Sequence, residues 1–116
     1  MFAADRWLTG PVLGDPEPHF HPLGQAPEGA DEGLPPGLDP DARPSLDEVL
    51  IARREQGRRI EGLLRNATEG DLLRTVASPN GGDTTVLECV QVVLSEEWWH
   101  HQYATRDLAI LEQGRL

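Results

Sequence analysis

The chain has 116 residues, 20 of them acidic and 10 basic, for a formal net charge of −10, and every basic residue is arginine. That length bounds it to one domain near the lower end of what builds a comfortable core, and the charge repels phosphate backbones, so nucleic acid is excluded as a partner class. Cys89 is the only cysteine, no apolar run approaches the roughly 20 residues that span a bilayer, and no secretory signal pattern opens the chain. A protein of the reducing cytoplasm, without a membrane partner, is expected.

Phe2 to Leu8, FAADRWL, consists of good helix formers and is predicted helical, with Gly10-Pro11 as its stop. No N-cap precedes it, so the chain reads as starting inside a helix. Residues 11–44 hold nine of the ten prolines, and phrases such as GDPEP, LPPGLDP and DARP sustain neither a helix nor a central strand. Such a stretch is either a disordered acidic linker or an ordered excursion wrapped over a helical body. The interspersed Val12, Leu13, Phe20, Leu23, Leu34 and Leu38 favour wrapping.

Ser45 to Asn66 is predicted as a helix. Ser45 and Glu48 form a capping box, and Leu46, Val49, Leu50, Ile60, Leu63 and Leu64 recur at helical spacing. Gly57 and Gly62 each weaken it by about 1 kcal/mol relative to alanine, so packing must hold it. Arg53, Arg54, Arg58 and Arg59 read as a solvated face paired locally with Glu55 and Glu61. Thr68 with Asp71 caps a short helix reaching about Arg74, and Ser78–Asp83 is a turn cluster. Thr85 with Glu88 opens a last long helix that runs to about Glu112, with Gly114 as its stop. There is no strand-like alternation and no repeat. The expected fold class is all-α, part of an antiparallel bundle.

The last helix carries the chemistry. Steps of three and four give Leu87, Val90, Leu94, Glu97, His101, Ala104, Leu108 and Leu111, one stripe expected to be buried, apolar at its ends and polar in the middle. Glu97 and His101 lie four residues apart on one face and need a partner there. They can ligate a divalent ion, with Zn, Ni and Mn suited to an imidazole–carboxylate set, or form a buried structural pair. His100 points about 100° away, as an extra ligand, a relay or a groove-edge residue. Of Trp98 and Trp99, one is expected in the core and the other under residues 11–44 or a second subunit. His19 and His21, in HFH, read as loop histidines. Cys89 reads as a small packing residue.

As a whole string, TTVLECVQVVLSEEWWHHQYATRDLAILE resembles the last helix of the DinB/YfiT-like superfamily. It looks closest to actinobacterial DinB family proteins, a group related to mycothiol-dependent maleylpyruvate isomerases. FHPLG…LPPGLDPDARPSLDEVL supports the likeness, and FAADRWLTGPVLGDPEP looks like the end of that family's second helix. The resemblance implies a partial antiparallel four-helix bundle, a single domain over residues 1–116 that lacks its first helix, with 11–44 as a Pro/Gly-rich loop within it. It also implies a divalent metal held by three histidines, one on the second helix and two in an H-x-x-x-H pair on the last. Carried onto this chain, that pair falls on Glu97 and His101, so a glutamate stands where the family has histidine, and the ligand of the second helix would precede Met1. In such relatives the metal activates a low-molecular-weight thiol for transfer to, or isomerisation of, an electrophile. Glu97 and His101 would then be metal ligands, and His100 and Trp98 would line the pocket. A bundle short of helices leaves an apolar groove, so either a homodimer or a poorly stable monomer is expected.

Overall fold

The computed structural model describes residues 1–26 and 33–114. Helix α1 (Phe2–Ala4) continues without a break into a π-helical stretch, Asp5–Thr9. Its wider turn appears in Gly10 N donating to Asp5 O and Leu13 N donating to Leu8 O, each five residues back. The helix ends at Gly10-Pro11, as the sequence reads. α2 (Leu46–Asn66) follows the proline-rich segment, then α3 (Glu69–Leu73), strands β1 (Thr75–Ala77) and β2 (Asp83–Thr85), and α4 (Val86–Gly114).

The caps fall where the sequence places them, although at Ser45 only the forward half of the expected capping box forms. Glu48 N donates to Ser45 Oγ at 3.1 Å. Thr68 and Asp71 close a reciprocal capping box. Glu88 N donates to Thr85 Oγ1 at 3.2 Å while Thr85 N reaches back to Glu88 Oε2 at 3.5 Å. Each arrangement satisfies backbone donors that a helix start leaves orphaned.

The two strands correct the all-α expectation. They pair antiparallel with Val76 opposite Thr84, and the turn between them uses Gly81 and Gly82 at positive φ. Three-residue strands are too short to show alternation. Their purpose is visible in Val76, which is buried between exposed Thr75 and Ala77 and plugs the core.

That core is small. Ala4, Leu8 and Val12 come from the N-terminal helix and the turn after it, and Val86, Cys89, Val90 and Val93 from the first turns of α4, with Trp7, Ile60, Leu63 and Leu72 packed around them. Cys89 is fully buried, so desolvation pushes its thiol pKa up, as befits a packing residue.

The proline-rich segment is wrapped where it is described. Phe20 stacks on Phe2 with ring centroids 5.2 Å apart, His21 N donates to Asp5 Oδ2 at 2.9 Å, and Val12 is buried. Gly37, at φ +101°, lies so close to the Phe20 carbonyl that a Cβ would sit 2.5 Å from its oxygen, which requires glycine on both counts. Leu34 is exposed, unlike the other expected anchors.

α2 departs from its expected pairing. Arg53 and Arg59 do not pair locally: they reach Glu97 on α4 and Asp15 in the wrapped segment, 44 residues away in each direction. Only Glu61 has a local arginine, Arg65, at 2.6 Å. Of α2's apolar set, Leu46, Leu50 and Leu64 are exposed, and Ala52 is its one buried residue. The helix is therefore tied on by polar contacts more than by apolar burial.

α4 shows the largest correction. Of the expected stripe only Val90 is buried and Leu87 and Glu97 are half-buried; burial along the helix reaches Val93, and from Leu94 to Gly114 every residue except Glu97 is exposed. A 29-residue helix is about 43 Å long, so most of α4 projects beyond a body whose longest overall dimension, helix included, is 54 Å.

Candidate functional site

Glu97 lies where α4 leaves the body. Arg53 approaches it with both ends of its guanidinium, Nη1 to Oε1 at 2.9 Å and Nη2 to Oε2 at 2.8 Å. This is the planar two-bond match that makes arginine–carboxylate pairs specific. The hydrogen bonds from Arg53 hold the Glu97 carboxyl below its ordinary pKa. Beside the pair opens a groove of about 560 Å³. Glu96, Glu97 and His100 form one wall, Met1, Phe2 and Ala3 the floor, and Leu23, Gly24 and Gln25 of the wrapped segment the far side.

The sequence-derived residues are thus only partly gathered. His100 lines the groove, with Nε2 3.4 Å from Glu96 Oε2. His101 is exposed on the projecting part of α4. Neither tryptophan is covered: Trp98 and Trp99 are 56% and 49% exposed, packed edge to face against each other at 4.8 Å, with Trp99 stacked on Tyr103. Among the described residues no group of three or more His, Cys, Asp or Glu side chains is placed to hold a metal ion. No described helix is long and apolar enough to cross a membrane.

Arg53 was the missing piece in the sequence reading of Glu97. Its spacing on α2 gave no hint of a partner on α4. The pair is half exposed on both sides, so Arg53→Ala should cost under about 1 kcal/mol at neutral pH. The sign of its pH dependence is fixed. With the folded carboxyl pKa lowered, the stabilisation is complete above the unfolded value and disappears as pH falls through the lowered one. Urea midpoints of wild type and Arg53→Ala should differ at pH 7 and converge in acid; a constant difference would show that Glu97 contributes nothing through its charge.

A second polar centre escaped the sequence reading. Asp5, only 4% exposed, accepts from Thr9 Oγ1 at 2.8 Å and Gln56 Nε2 at 3.1 Å on Oδ1, and from His21 N on Oδ2. It joins α1, α2 and the wrapped segment at one buried carboxylate. Next to it is a cavity of about 360 Å³, bounded by Asp15, His19, Gln56 and Arg59 among others. His19 and His21 are loop histidines, as expected. His21 Nδ1 accepts from Leu23 N, whereas the buried His19 Nδ1 lies 3.0 Å from Glu17 Oε1 without the alignment of a hydrogen bond.

Fold and groove together define a mostly helical protein with a small hairpin and a carboxylate–imidazole wall on its last helix. The chain belongs to the DinB superfamily, whose sequence model matches residues 2–104. Searches of curated proteins and of solved structures gave no significant match.

Proposed function

We propose that this DinB-superfamily chain is a non-catalytic helical protein in which the Glu97 position serves an interhelical ion pair. The observation that carries this reading is the Arg53 fork, which occupies both oxygens of Glu97. A divalent ion needs three or four converging donors. Here one candidate donor is engaged by a cation that would repel a metal, and the other, His101, is exposed. The residues present do not fit the family's three-histidine metal, so no thiol activation is derived through it. The structural role expected for a Glu97–His101 pair passes instead to Glu97 and Arg53.

A second reading has one observation in its favour: Glu96, Glu97 and His100 share one groove wall. On that reading the chain is a relative of metal-dependent thiol transferases and isomerases, with a degenerate or incomplete site for Zn, Ni or Mn and a low-molecular-weight thiol as co-substrate. Metal analysis of untagged protein after exposure to excess ion and desalting separates the two. The ion-pair reading expects no stoichiometric metal in wild type or in His101→Ala. Stoichiometric metal in wild type that is lost in His101→Ala would overturn it.

A further inference from the structure

We propose that Asn80 is a self-modifying site. Its side-chain amide is converted to a carboxylate by attack of the Gly81 backbone nitrogen, and Arg6 takes up the new charge. The chain has two asparagines, Asn66 and Asn80, and only Asn80 is followed by glycine. Asparagine is among the chemically labile residues, and a following glycine leaves the attacking nitrogen unshielded, because no Cβ stands beside it.

The fold sets Asn80 at the tip of the hairpin between β1 and β2. Gly81 N donates to Ser78 O at 3.1 Å and Ser78 N donates to Gly82 O at 2.9 Å, closing a tight turn. Asn80, Gly81 and Gly82 are all exposed. A Cβ at either glycine would meet nothing within 4 Å, so solvent reaches the Gly81 nitrogen from an open side. The hydrogen bond from Gly81 N must open before that nitrogen can attack. Strands of three residues carry little pairing, and such tips open locally.

The other half of the site comes from the N-terminal helix. Arg6 Nη2 donates to Asn80 Oδ1 at 2.7 Å, across 74 positions of sequence. The contact lies between clefts of about 270 and 460 Å³. Among the described residues Arg6 pairs with no carboxylate. A guanidinium is thus held against a neutral amide, where a carboxylate would bind it more strongly.

In the first step Gly81 N gives its proton to solvent base and bonds to Asn80 Cγ. The carbonyl electron pair moves onto Oδ1, where the guanidinium stabilises it. As the pair returns, the Cγ–Nδ2 bond breaks, and Nδ2 takes up a proton and leaves as ammonia. Water then opens the resulting five-membered imide, at Cγ to give aspartate or at the main-chain carbonyl to give isoaspartate. The net reaction consumes one water and releases one ammonia. Aspartate turns the neutral tie between the N-terminal helix and the hairpin into an ion pair. Isoaspartate puts the Cβ methylene into the main chain and lengthens the turn that Ser78 and Gly82 close.

The full chain, aged in mildly alkaline buffer and followed by peptide mass mapping and ammonia release, should exchange NH for O at Asn80. Asn66 should stay unchanged, since Ala67 follows it and its Nδ2 is held on Gly62 O at 2.9 Å. Arg6→Gln should slow the conversion by about threefold to fivefold, the scale of one exposed charged contact, and Arg6→Lys should keep most of the rate. Asn80→Asp should unfold at higher urea than wild type, and that gain should vanish in the Arg6→Gln background. Conversion of Asn80 no faster than that of Asn66 overturns the inference. Arg6→Gln converting as fast as wild type or faster overturns the role given to Arg6 in the reaction. An Asn80→Asp gain that is absent, or that persists without Arg6, overturns the ion pair.

Discussion

Replacing Asp5 by alanine should destabilise the protein by roughly 2–4 kcal/mol, measured as a shift in the urea midpoint at neutral pH. The carboxylate receives three hydrogen bonds from three separate parts of the chain. Its removal orphans the Thr9 hydroxyl and the His21 backbone N–H in a largely buried place, at about 1–3 kcal/mol per buried unsatisfied group, while the Gln56 amide keeps its hydrogen bond to the Met1 carbonyl. Asp5→Asn preserves the shape and should cost less, although its NH2 end meets donors where an acceptor is needed. A loss below about 0.5 kcal/mol for the alanine variant would mean that water from the adjoining cavity replaces the carboxylate oxygens.

Leu8→Ala should have a comparable or larger effect. Leu8 is 1% exposed and is one of the largest side chains sealed completely inside. Truncating such a leucine costs roughly 2–5 kcal/mol, depending on how far the surroundings collapse. Domain stabilities are about 5–15 kcal/mol in total, and this core has few other large members, so the variant should lose much of its cooperative thermal transition. Leu46→Ala is the matching control. Leu46 is 73% exposed, and its removal should change the midpoint by no more than about 0.5 kcal/mol.

Local chemistry was legible in the sequence. The starts of α2, α3 and α4 were each marked by a Ser or Thr followed three residues later by Glu or Asp, a pattern that operates within one turn. The extent of α4 and the stop at Gly10-Pro11 were readable for the same reason. What could not be read depends on contacts between distant residues. Arg53 looked like one of four solvated arginines until α4 came beside it, and Asp5 looked like an ordinary acidic residue in a helix. Its only local clue was Thr9, four residues on and on the same face. Burial along α4 was misjudged because helical periodicity shows which side of a helix is apolar but not whether anything lies opposite.

The projecting part of α4 has a thermodynamic consequence. Isolated helices of this length are marginal in water, because few backbone bonds offset the entropy of ordering the chain. Only the first turns of α4 are anchored by the core; the turns beyond Glu97 have no such support within the chain. Their order is therefore carried by local helix propensity, and their backbone amides should exchange with solvent faster than those of the anchored turns, increasingly so toward Gly114. Alanine at solvent-facing positions such as Gln102 and Gln113 should slow that exchange without touching the core.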